Sequence, residues 1–352
     1  MVTLNADTSV VATYRPNANL MFVTATQLVM PFGNSAATSQ TNADAFCNAR
    51  ATAASLPGTY VAWLSTSTRS AMSKLGTANG WVRTDGRPFA NTKADLAAGK
   101  IFYPPLYSES GADTLSAFYS AATGTAADGT ATANTCADWT STSGATAGGG
   151  EPSRGTKYWT DFFARTCNAA YVLYCFETAF NTVVKPPPVS GRYAFVSKGT
   201  VQPAAGHSRA TFDALCQSEA TTAALPGTYL ALVATTQSTA IARFTTSAGS
   251  LPWFRPDGVQ LVTAAAGLLG DRPELLAAFD VMADGTYVVD SWPWTGALQT
   301  DQVGTLATTC NDWSSTVGSG DGGTTAGAYD WYNEFQESLT CVGSQPVFCL
   351  QQ

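Results

Sequence analysis

The 352-residue chain holds a single histidine, His207, and only 12% of its residues are charged. One histidine leaves little material for imidazole acid–base chemistry or for a histidine-rich metal site. The 18 Lys and Arg against 25 Asp and Glu give a net charge of −7, and the cations never gather into a basic block. Nucleic acid, heparin-like polyanions and anionic membranes are therefore poor partners. Long apolar runs are missing too. Residues 20–23 and 28–32 are interrupted by Thr and Gln and are far too short to span a bilayer, so no membrane insertion is expected. Residues 1–20 lack the charged start and apolar core of a secretory signal, so export is expected to rely on a removed signal or another route.

What the chain has is cysteine, aromatics and internal repetition. Its 9 Trp, 13 Tyr and 17 Phe supply the bulk that an Ala-rich and Thr-rich sequence otherwise lacks, and its length exceeds what one core usually organises. Leu56-Pro57-Gly58-Thr59-Tyr60 returns 169 residues later as Leu225-Pro226-Gly227-Thr228-Tyr229, with Cys47 returning as Cys216 and Asp44 as Asp213. Trp81, Arg83, Asp85 and Gly86 match Trp253, Arg255, Asp257 and Gly258, and Cys136-Ala137-Asp138-Trp139 matches Cys310-Asn311-Asp312-Trp313. The last three cysteines of each copy keep identical gaps: 136 to 167 and 310 to 341 are both 31, and 167 to 175 and 341 to 349 are both 8. Only the first gap differs, 89 (136 − 47) against 94 (310 − 216), which places a length change in a loop. Four cysteines per copy read as two disulfides and an oxidising compartment; no Cys-x-x-Cys pair favours zinc.

The domains follow: an N-terminal arm over 1–19, a first domain over 20–180, a Pro-rich linker over 181–191 and a second domain over 192–352. Three successive prolines, Pro186 to Pro188, predict a short semi-rigid spacer. Within each copy the pattern predicts an opening apolar strand and then an Ala-rich helix, over 42–55 and 212–224, whose cysteine points at the core. A Pro-Gly stop, a buried strand, a second short helix and an Asp-Gly hairpin turn come next, and the final cysteine sits on a terminal strand.

The helix cysteine followed by Leu-Pro-Gly-Thr-Tyr and Trp63-Leu64-Ser65, then Cys136-x-Asp138-Trp139, Cys167 and Tyr174-Cys175-Phe176-Glu177, resembles the endostatin-like branch of the C-type lectin-like superfamily. The resemblance spans nearly all of both copies. It implies an α+β fold of two tandem C-type lectin-like domains, each with short helices and a small, twisted, mostly antiparallel sheet with long loops. Four cysteines allow three connectivities. The resemblance implies first to fourth and second to third: Cys47 with Cys175, Cys136 with Cys167, Cys216 with Cys349, and Cys310 with Cys341. The histidine-rich zinc site and arginine-rich heparin surface of endostatin have no counterpart, so those functions do not carry over. Glu151-Pro152-Ser153 lies after Cys136, where the calcium motif of sugar-binding C-type lectins precedes the second cysteine, so it reads as a loop turn and no cofactor is expected, with a calcium ligand as the alternative that the motif does not support.

Residues shared by the copies are expected to be framework, with Asp138 and Asp312 binding backbone amides. His207 reads as a surface residue at a helix start. Residues that differ mark where recognition can diverge, chiefly in loops 144–158 and 318–329. The candidate ligand set is Glu151, Tyr158, Trp159 and Asp161 in the first copy, with Asp321, Tyr329, Trp331, Asn333 and Glu334 in the second; the core is the favoured place for the two tryptophans. No catalytic residue is assigned. The expected function is non-enzymatic extracellular recognition or adhesion, with a glycan or protein ligand. The alternative is a structural subunit of an external assembly, in which copies of the chain contact each other.

Overall fold

A serine sets the start of the long helix in each copy. Ser35 and Thr38 exchange hydrogen bonds (Thr38 N to Ser35 Oγ 3.2 Å, Ser35 N to Thr38 Oγ1 2.9 Å), and Ser208 forms the same capping box with Thr211. These caps satisfy amides that the first turn leaves free, so the helices run Ala36–Ala53 and Arg209–Thr222, starting earlier than residues 42 and 212. They also end earlier, because Ser55 and Ala224 turn left-handed at φ 58° and 57°. Gly58 and Gly227 follow at φ 93° and 96°, and a Cβ on either would fall inside the side chain of Glu177 or Gln351. Those two side chains fold there to accept the amide of the opening strand, from Leu20 at 3.0 Å and from Tyr193 at 2.8 Å.

The computed structural model describes residues 17–114, 120–188, 190–270, 275–329, 331–333 and 338–352. The chain is α+β, with few helices and small, mostly antiparallel sheets. One sheet runs, edge to edge, Tyr60–Ala62, Tyr174–Glu177, Asn19–Val23, Trp81–Arg83 and Pro88–Ala90. The second copy repeats this wiring with Tyr229–Ala231, Phe348–Gln351, Arg192–Val196 and Trp253–Phe254. In both, the opening strand lies antiparallel to the closing strand and parallel to the Trp81 or Trp253 strand. Asn19 begins the opening strand, so the first domain starts within the expected arm, of which residues 1–16 lie outside the described residues.

The disulfides are Cys47–Cys175, Cys136–Cys167, Cys216–Cys349 and Cys310–Cys341, with no free cysteine. Each copy thereby ties its helix to its closing strand, and the four bonds suit an oxidising environment. Among the described residues no helix is long and apolar enough to cross a membrane.

The Cys-x-Asp-Trp motif forms a left-handed turn. Cys136, Ala137, Asp138 and Trp139 have φ of 49°, 51°, 60° and 64°, and residues 310–313 repeat it at 50°, 59°, 52° and 69°. Such backbone costs about 1–2 kcal/mol per non-glycine residue. Side chains offset that cost. The Asp138 carboxylate accepts from the Ser67 amide and hydroxyl, both at 2.6 Å, and Asp312 does the same with Thr236 at 2.8 and 2.6 Å. The Trp139 and Trp313 rings are fully buried and donate Nε1 to the carbonyls of Ser65 (2.7 Å) and Ala234 (2.9 Å). The recurring Asp and Trp are framework, as the comparison of the copies predicted.

The copies meet along a seam. Tyr103 of the first packs on Val259 and Ala277 of the second, and its hydroxyl accepts the Gln260 amide at 2.9 Å. The linker, expected to be a short semi-rigid spacer, is docked on both copies. Val184 donates its amide to Asn91 at 3.0 Å, the Thr182 carbonyl closes on Gly80, and the prolines line a hollow with Tyr193 and Phe254 of the second copy.

Candidate functional site

Loops 144–158 and 318–329, expected to be where recognition diverges, bind each other across the seam. Gly155 donates its amide to Ala326 (2.8 Å) and Ala328 to Ser153 (3.1 Å), around an antiparallel bridge from Arg154 to Gly327. Small residues allow that approach: a Cβ on Gly155 would stand 2.5 Å from the Ala278 Cβ. Ser153, Arg154, Thr156, Ala326 and Ala328 are all buried as a result.

The candidate residues divide accordingly. Trp159 and Trp331 are core: Trp159 packs on Trp63, Phe89 and Phe176, and Trp331 on Phe279 and Phe348. Glu151 is half-buried and occupied by the Ser153 hydroxyl (2.7 Å) and Arg154 Nε (3.2 Å). Asp321 is buried, and desolvation pushes its carboxyl up to about 6. Tyr329 lines a hollow of about 120 Å³ at the seam with Arg83, Tyr107 and Ser153. Asn333 is half-buried, and Glu334 lies outside the described residues. Among the described residues the second copy's set is therefore not gathered into one face.

The first copy's remaining residues do form one. Tyr158 donates its hydroxyl to Asp290 of the second copy at 2.5 Å and packs edge-on against Phe162, ring centroids 5.1 Å apart. Phe162 is 39% exposed, with the Arg154 guanidinium 4.7 Å from its ring. Asp161 is exposed beside it, and the next strand, Phe163–Thr166, carries Arg165 stacked on Phe163 at 4.9 Å. Phe162, Phe163, Arg165 and Asp290 were missed in the sequence. The Phe-Phe pair before the third cysteine was the available signal, while Asp290 reaches this face only by folding.

A buried charge network backs the seam. Arg255 holds Asp257 through Nε (3.1 Å) and Nη2 (2.6 Å), reaches Asp280 through Nη1 (2.5 Å) and donates to the Ile101 carbonyl of the first copy (3.4 Å). Burial lifts the fully enclosed Asp280 carboxyl to about 7 against the pull of Arg255. Burial opposes ionisation of Asp257 as well, but the forked contact with Arg255 holds it below the usual carboxylate range. No protein-family model matches the chain, and no curated protein matches it.

The two arrangements have different chemistry. Among the described residues no group of three or more His, Cys, Asp or Glu is placed to hold a metal ion. His207 turns Nδ1 toward the Gln202 carbonyl at 3.0 Å, just ahead of the second long helix. The face around Phe162 offers ring surface, the Arg165 cation and carboxylates to a ligand from solution, whereas Arg255 and Asp280 are closed to solvent.

Proposed function

We propose that the chain is a non-enzymatic recognition or adhesion protein acting outside the cytoplasm, built from two tandem C-type lectin-like, endostatin-like domains. Its glycan or protein ligand would bind the face formed by Tyr158, Asp161, Phe162, Phe163 and Arg165. The observation that carries this reading is the exposure of Phe162 with Arg165, Asp161 and Asp290 around it, beside the Tyr158–Asp290 hydrogen bond that crosses the seam. Exposed rings take the apolar face of a sugar or an apolar side chain, and the flanking charges take hydroxyls or polar groups. The matching disulfide wiring of the copies supports a rigid, oxidised scaffold for such a face. Glycan-panel and extracellular-protein binding by the intact oxidised chain tests it, with Phe162→Ala/Arg165→Ala as the comparison. The reading fails if the variant binds every wild-type ligand equally well.

The assembly reading also has an observation in its favour. Phe163–Thr166 is the outer strand of a three-stranded sheet, and an unpaired edge is a template for joining another chain. A large regular particle by native mass measurement, abolished by Ala164→Pro, would select assembly over recognition.

A further inference from the structure

The copies satisfy one carboxylate in opposite ways. In the first, Glu109 is buried on a tight turn; its Oε2 accepts the Ala25 amide (2.8 Å) and its Oε1 is held by Arg50, with Nε at 2.6 Å. Arg50 lies three residues beyond Cys47 on the long helix; the same step from Cys216 reaches Glu219. The turn corresponds as well. Val23 N to Tyr107 O and Ser108 N to Ala112 O become Val196 N to Val281 O and Met282 N to Thr286 O, so Glu109 corresponds to Ala283. Ala25 corresponds to Lys198.

In the second copy the helix supplies the carboxylate. Glu219 accepts the amides of Lys198 (2.9 Å) and Gly199 (2.7 Å), taking over the backbone role of Glu109. Among the described residues nothing takes over the role of Arg50, and Ala283 is too short to fill the space. The outcome is a cavity of about 420 Å³ walled by Ala223, Met282 and Ala283, with Glu219 inside and Lys198 and Asp284 at its mouth. Its size falls in the range of ligand pockets, roughly 300–1,000 Å³. Hydrogen bonds from Thr286 hold Asp284 below the usual carboxylate range, so the mouth carries an anion. Lys198 Nζ, 3.8 Å from Asp284, is largely exposed and weakly engaged.

We propose that this cavity binds an alkyl guanidinium, either an arginine side chain of a partner or a free arginine-like molecule. Its guanidinium seats on Glu219 as Arg50 seats on Glu109, and its methylenes lie along Met282 and Ala283. A carboxylate that already takes one amide per oxygen still has lone pairs for a planar fork, and a guanidinium fits that geometry better than a compact ammonium. The cavity lies outside the Phe162 face, so the two proposals stand or fall separately.

The test titrates the intact oxidised chain with agmatine, n-butylamine and the peptide Gly-Arg-Gly, by calorimetry and the NMR signal of the Met282 methyl. Saturable 1:1 binding of agmatine is expected, at least about ten-fold tighter than n-butylamine. Glu219→Gln should weaken it by about ten-fold or more. Glu219→Arg/Ala283→Glu, which rebuilds the first copy's ion pair, should abolish it; Ala283→Phe, which fills the cavity from its wall, serves if the double variant does not fold. Gly-Arg-Gly binding at least as tightly as agmatine identifies a protein arginine as the source, and weaker binding a free molecule. No saturation by agmatine, equal binding of n-butylamine, or binding that survives both the Glu219 and Ala283 changes overturns the proposal.

Discussion

Asp280→Asn should remove most of the pH dependence of stability between pH 4 and 7. Asp280 stands where the first copy has Leu106, fully buried against Gly155 of the other copy. Among the described residues Arg255 is its ion-pair partner, and that guanidinium is already committed to Asp257. Burial therefore dominates and lifts the carboxyl from 3.8 to about 7. Because the folded value is raised, the folded state binds the proton more tightly. The stabilisation is complete below the unfolded value near 4 and is lost as pH rises through 7. A shift of about three units is worth at most about 4 kcal/mol. Asp321, lifted to about 6, adds to the same slope. Urea unfolding with disulfides intact, followed by tryptophan fluorescence at intervals from pH 4 to 8, measures it. The wild type should lose stability steadily across that window, Asp280→Asn should be nearly flat apart from the Asp321 share, and Asp280→Asn/Asp321→Asn flatter still. Parallel curves for wild type and Asp280→Asn would refute the assignment of a buried, proton-binding carboxyl to the seam.

Removing Cys47–Cys175 should cost about 5 kcal/mol by the loop-entropy relation, against about 4 kcal/mol for Cys136–Cys167, since they close 128 and 31 residues; urea titration of the paired Cys→Ser variants checks the order. Trp139→Ala and Trp313→Ala should each destabilise by about 3–5 kcal/mol, because each loses a fully buried ring and the support of a left-handed turn. Gly155→Val should separate the copies without unfolding either, since its side chain would meet Ala278 while each disulfide frame stays intact; increased proteolysis within 181–191 with unchanged tryptophan burial is the expected readout. Chelator should leave the melting temperature within about two degrees of its value without chelator, a larger fall pointing to a cation in the loops.

Much of the frame was legible because it repeats. Residues that recur at fixed spacing, such as Cys47 with Cys216, Asp138 with Asp312 and Trp139 with Trp313, can be assigned to the fold by comparing the copies. The buried rings and the carboxylates on Ser67 and Thr236 bear this out. The helix boundaries were misjudged because capping by Ser35 and Ser208 is a local hydrogen-bond effect that apolar periodicity does not report. The candidate site was only partly legible. Divergence between loops 144–158 and 318–329 marked a place of difference, yet it arises here from two unlike halves of one contact as well as from outward-facing residues.

The sequence by itself determined the two copies, their α+β elements and an oxidised cysteine frame, because these rest on periodicity, spacing and short-range turn chemistry. Only the tertiary structure decided which polar groups lost water. Asp280 and Arg83 are both charged residues in the sequence, but one is lifted to about 7 by its enclosure at the seam and the other is buried on Asp85. The cavity at Glu219 likewise follows from two substitutions, 50 to 219 and 109 to 283. They lie far apart in the chain and meet only because the helix packs against that turn.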